Sequence, residues 1–158
     1  MSASGPNIFS VQTPQGRFNV VSFASPAGVA ARGIPEEAII GILPSNVVEI
    51  KQATIKLNAA FALLLQRVIA KYGPNAPSLM KEALEIGRGS LDLIDARAER
   101  QSGEQESKDI FGVFEVEGGR VVPGSYQPNP DHVVVSKRGL FVLDSWLQAR
   151  LLEELAKL

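Results

Sequence analysis

Residues 44–74 read PSNVVEIKQATIKLNAAFALLLQRVIAKYGP, and their rhythm sets the expected architecture. Val47, Ile50, Thr54, Leu57, Phe61, Leu64 and Val68 follow one another at spacings of 3, 4, 3, 4, 3 and 4. That alternation places one apolar seam along a helix and demands a partner for it. Asn46 stands where a cap belongs, and Glu49 three residues later completes a capping-box spacing. Gly73-Pro74 closes the run, since Pro cannot continue a helix. Val47 through Tyr72 would form one helix about 39 Å long.

A second amphipathic run follows Asn75 and Pro77. Met80, Leu84, Gly87, Leu91, Ile94 and Ala98 repeat at 4, 3, 4, 3 and 4, with Lys81, Glu85, Arg88, Asp92, Asp95 and Glu99 opposite. The spacing predicts a helix to about Arg100 and an antiparallel helical hairpin with the first. Gly87-Arg88-Gly89-Ser90 is its weak point, because two glycines cost roughly 2 kcal/mol against alanine. A close helix–helix approach or a break would each account for them.

The flanks read as β-structure. Ile8–Thr13 and Arg17–Ala24 surround Pro14-Gln15-Gly16, a hairpin signature. Ser25–Gly33 reads as a small-residue connector. Ile34-Pro35-Glu36-Glu37 resembles a helix start, and Ala38–Leu43 fits a short helix better than a buried strand. Ile110–Glu117, the Gly118-Gly119 turn and Arg120–Pro123 form a second hairpin. Val133 and its neighbours, His132–Ser136, pair with Leu140–Asp144 around Lys137-Arg138-Gly139. Ser145 and Gln148 cap a terminal helix with Leu147, Leu151, Leu155 and Leu158 on one face. Residues 1–6 read as a tail and 101–109 as an exposed linker. The expected fold class is a single α+β domain over 1–158: a long antiparallel helical hairpin, flanking antiparallel β-hairpins and a C-terminal helix.

Composition narrows the chemistry. A length of 158 residues, with 45% apolar and 21% charged residues, suits one globular core. With no cysteine, thiolate metal sites, disulfides and cysteine nucleophiles are excluded. A net charge of -1 gives no global basic surface for nucleic acid. The N-terminus lacks the basic and apolar regions of a signal peptide, and no apolar run spans a bilayer; a cytoplasmic home and no membrane partner are expected.

His132 is the single histidine, so multi-histidine metal sites are excluded. Gly28 and Gly33 match one phosphate-loop spacing, but Ile34-Pro35 stands where Lys-Ser/Thr is required. No cofactor, metal site or catalytic set is expected. The leading expectation is a non-enzymatic binding or assembly protein, a homo-oligomer and specifically a dimer, open to a further protein partner. Its seam would be Val47, Ile50, Leu57, Phe61, Leu64 and Val68, with Leu63 and Trp146 as outward contacts. One alternative is a small enzyme or ligand-binding protein using Arg120, Tyr126, Asp131 and His132. Another is nucleic-acid binding through Lys56, Arg67 and Lys71 with Arg120, Lys137 and Arg138.

Overall fold

A computed structural model describes residues 5–97 and 107–158. The chain is a mixed α and β structure with antiparallel sheets. Strands β1 (Asn7–Thr13) and β2 (Gly16–Ser22) form the expected hairpin. Helix α1 (Pro26–Arg32) occupies the stretch expected as a connector. Its signal is local: the Ser25 hydroxyl accepts from Gly28 N at 3.0 Å, and Pro26 fills the first helical position.

The stretch expected as a short helix is strand β3 (Ile39–Pro44), preceded by a single 3-10 turn at Glu36–Ala38. It pairs antiparallel with β2, with a bulge beside Val21 and Ser22. Pairing with β2 outweighs any local helical preference of so short an apolar run. Strand β4 (Lys56–Leu57) pairs with β3 and completes the order β1-β2-β3-β4.

The long helix is therefore half its expected length. Helix α2 is Ala59–Tyr72, and Val47 to Leu57 are turns plus β4. Asn58 starts α2: its side chain accepts from Ala60 N at 3.2 Å. The same amide donates to the Glu36 and Ile39 carbonyls, both at 2.8 Å, and so ties the helix start to β3. Five β-branched residues, Val47, Val48, Ile50, Thr54 and Ile55, crowd the part that is not helical, where helix propensity is weakest.

The second helix also stops early. Helix α3 is Pro77–Ile86, and Gly87 ends it at φ 74°, a left-handed conformation open to glycine. Residues expected to continue it form strand β5 (Gly89–Ile94), where Leu91 and Leu93 are buried and Asp92 is exposed. Helix α3 packs on β5, β6 (Ile110–Glu117) and β7 (Arg120–Val121) rather than along α2, so there is no helical hairpin. Its buried residues are Leu79 and Ala83; Met80 and Leu84 of the expected stripe face outward.

Strands β6 and β7 form the expected second hairpin, with β5 on the other side of β6 and β8 (Gln127–Pro128) also on β6. The third hairpin is shorter than expected: β9 (Val135–Ser136) and β10 (Gly139–Leu140). Helix α4 (Ser145–Ala156) is capped by Asp144 rather than Ser145; the carboxylate accepts from Trp146 N at 2.9 Å and Leu147 N at 3.1 Å. A carboxylate at that position also favours the helix dipole.

One apolar cluster joins both four-stranded sheets to the helices. It includes Val21 and Leu43 from the first sheet, Phe61, Leu65 and Ile69 from α2, Phe111 and Phe114 from β6, and Leu147 and Leu151 from α4. Gly73 permits the closest approach. A methyl group there would run into the Phe114 ring, so the end of α2 can seat directly on β6. The expected tail falls partly on residues 1–4, and most of the expected linker on 98–106; both lie outside the described residues, while Ser107–Asp109 is a 3-10 turn.

Candidate functional site

Five charged or ionisable side chains far apart in sequence meet in the interior. Asp95 and Arg97 follow β5, Asp109 precedes β6, and His132 and Arg138 come from the segment around β9. Arg97 stands at the centre, its side chain only 1% exposed. Its Nε–H donates to Asp109 Oδ1 at 3.2 Å, and the same nitrogen lies 3.2 Å from Asp95 Oδ2. Nη1 donates to the Val134 and Gly139 carbonyls, and Nη2 to those of Lys108 and Val133. All five guanidinium N–H groups thus have acceptors. Asp95 Oδ1 accepts from Arg97 N and Val142 N, and Asp95 Oδ2 faces His132 Nε2 at 3.0 Å. Asp109 Oδ2 lies 3.5 Å from Arg138 Nη1.

This cluster ties the ends of β5 and β6 to the 132–142 segment. Its charges are paired, as burial requires, although among the described residues Asp109 Oδ2 has only the ion pair with Arg138 and no hydrogen bond. His132 belongs to the loop before β9, not to a strand start. Its ring lies against Phe111, with centroids 4.4 Å apart. The Asp95 carboxylate that faces it is fully buried. Sequence spacing carries no sign of the cluster: Asp95 falls on the polar face of the expected second helix, and Asp109 in the expected linker.

The residues of the alternative ligand site do not converge. Arg120 is exposed on β7 and Asp131 is exposed beside the Ser107 hydroxyl at 3.0 Å. Tyr126 is half-buried between β6 and α2. Its hydroxyl, with one proton, faces Gln66 Oε1 and the Phe111 carbonyl, the latter at 2.9 Å. Burial pushes its pKa well above the ordinary 10.0.

The expected seam divides. Phe61, Leu64 and Val68 are buried in the chain's own core. Val47 and Ile50 pack against that core from the loop before β4, and Leu57 is exposed on β4. Leu63 is 66% exposed on α2. Trp146 is half-buried, edge-on to Tyr72, with the Arg150 guanidinium 4.8 Å from its ring centroid. The Tyr72 hydroxyl donates to Glu154 at 2.7 Å, and Lys157 at 2.9 Å; the Lys157 bond chiefly lowers the Glu154 pKa.

The basic residues do not form one stripe. Lys56 lies on β4, Arg67 is paired with Glu37 at 3.1 Å, Lys71 lies 3.9 Å from Glu154, and Arg138 belongs to the buried cluster.

Among the described residues, two of the apolar surfaces bear on association or binding, and neither is evident in the sequence patterns. The first is the outer face of the N-terminal sheet. Strand register aligns Phe9 with Val20 and Ile42, and Val11 with Phe18, on the face opposite Val21 and Leu43. None of these five belongs to the main core cluster. Val29 of α1 and Ile34 roof part of this face over a cavity of about 370 Å³. The second is a groove of about 680 Å³ between α3 and the β6–β7 hairpin, lined by Pro74, Met80, Leu84, Val122 and Pro123 with Glu117 and Arg120 at its polar edge. Leu84 is 72% exposed there and Met80 51%.

Among the described residues, no group of three or more Asp, Glu or His side chains is arranged to hold a metal ion, and no helix is long and apolar enough to cross a membrane. No protein-family model, curated protein or solved structure matches the chain.

Proposed function

We propose that this chain is a non-enzymatic binding and assembly protein that works as a homodimer. The supporting observation is the second apolar face of the N-terminal sheet. A sheet that is apolar on one side needs one cover; this sheet is apolar on both. The core covers the side of Val21 and Leu43, and α1 covers the other only in part. Association through the sheet fits better than association through α2, whose Phe61, Leu64 and Val68 are already packed internally. Leu63 and Trp146 remain as secondary contacts. The buried charge cluster fits this reading as a scaffold, because its groups are directed at each other and at backbone carbonyls.

Light scattering across the micromolar range tests it. A mass near twice the 17.0 kDa of the chain is expected; a mass that stays at one chain would end the proposal.

The groove beside α3 favours a second reading, a site for an apolar small molecule or peptide side chain. Exposed Met and Leu beside one Arg and one Glu match the usual make-up of such sites. Saturable binding of an apolar fluorescent probe, lost in Leu84→Ser, would support it. Equal probe response in both proteins would sink it.

A further inference from the structure

Native sheets protect their free edges with charge, proline, bulges or very short strands. In this chain every described edge but one follows that rule. Strand β4 is two residues long and includes Lys56; β7 is two residues long and includes Arg120. Strands β9 and β10 are two residues each. Strand β8 ends in Pro128, and β5 has Asp92 and an irregular register with β6 at Leu93 and Ile94. Strand β1 has none of these devices. It runs seven residues, NIFSVQT, without a charge, a proline or a break in register, and among the described residues it ends the sheet.

We infer that β1 is a self-pairing edge, joining two copies of this chain antiparallel across a two-fold axis into one eight-stranded sheet. The inference rests on the homodimer reading above and places the contact at the sheet's edge, beside the outer face rather than over it. Face matching limits the register. A two-fold axis normal to the sheet keeps each strand's outer face outward, so a residue must lie opposite its own copy. Centring on Ser10 pairs all seven positions. Phe9 then meets Val11 of the second copy, twice, on the outer face, an aromatic–β-branched pairing of the kind that stabilises sheets. Half-buried Phe9 and Val11 gain cover, and the apolar outer face becomes continuous across the axis. The lack of charge points to a self-partner. Near a two-fold axis any charge meets its own kind; β1 itself carries none between Asn7 and Thr13, and the neighbouring Arg17 of β2 is held on Gln12 Oε1 and Ser10 Oγ, each at 3.4 Å.

The chain has no cysteine, so a single introduced thiol reports self-contact cleanly. Ser10 is exposed, and Ser10→Cys should leave the fold intact. In the paired edge, the new thiol would face its own copy at a Cα separation of about 5 Å, within disulfide range. Mild oxidation at micromolar concentration should give a covalent dimer on denaturing gels. Gln12→Cys serves as the control, since its copy would lie roughly 13 Å or more away along the strands and should stay monomeric on the same gels. Ser10→Lys places like charges at the axis and should weaken association roughly tenfold or more without changing the circular dichroism. If the unmodified chain is dimeric but the Ser10→Cys variant does not cross-link and Ser10→Lys still dimerises, the β1 interface is wrong while the assembly reading stands. If the unmodified chain is monomeric at every concentration, both are wrong.

Discussion

His132 Nε2 and Asp95 Oδ2 are 3.0 Å apart, although 37 residues separate them in the chain. The contact fastens the loop before β9 to the end of β5, and the Phe111 ring backs the imidazole from one side. His132→Gln should fold and keep a donor toward Asp95, while losing the ring contact. A stability loss of about 1–2 kcal/mol is expected in urea titration. An unchanged midpoint would show that the contact contributes nothing.

Removing the central cation should be far more damaging. Arg97→Met leaves Asp95 and Asp109 buried without their main partner, which costs about 3–5 kcal/mol when one side of a buried pair is lost. Thermal melting of the variant should show a large drop or no cooperative transition. A melt like that of the parent chain would mean that the carboxylates reach water. Arg67→Ala, which breaks only the exposed pair with Glu37, should change stability by less than about 1 kcal/mol.

At Gly73 the test is steric. A methyl group there meets the Phe114 ring, and a rigid aromatic in the core yields poorly. Gly73→Ala should cost about 1–3 kcal/mol despite alanine's better helix propensity. A stabilised variant would indicate that α2 and β6 can separate without loss.

Tyr126 gives a pH signature. Its folded pKa is raised above the ordinary 10.0 by burial, so the phenol stays neutral in the folded chain after it ionises in the unfolded one. Its contribution is therefore full below pH 10.0 and declines as pH rises beyond that value. Tyr126→Phe should lower stability at neutral pH by about 1–2 kcal/mol, through loss of the hydroxyl contact, and flatten the fall above pH 10.0. Parallel alkaline limbs in the two proteins would contradict this.

Legibility from sequence follows the range of the interactions. The hairpins at 14–16 and 118–119 are readable because their turn residues sit inside the loops they make. The first helix is not, because one 3-4 rhythm runs across two unlike segments. Its true start, Asn58 before Ala59-Ala60-Phe61, has a local cap signal, but the seam draws the boundary back to Asn46. The second helical stripe hides a strand because Leu91 and Leu93, with Asp92 between them, satisfy a two-residue period that the longer stripe absorbs. Gly87 and Gly89 mark the change. The Arg97 cluster is not legible: its members meet only once β5, β6 and the β9 segment are in place, and no spacing in the chain records that meeting. The uncharged edge of β1 lies in plain view as NIFSVQT, but its meaning depends on knowing that no described residue pairs beyond it.

Self-association through β1 is tested most sharply by sedimentation equilibrium on the unmodified chain, from about 1 to 100 μM. The expected species has twice the 17.0 kDa chain mass and persists at high salt, because the β1 pairing is made by backbone bonds and salt screens the Arg17 side chains held beside Ser10. A single species of 17.0 kDa at all concentrations would contradict it.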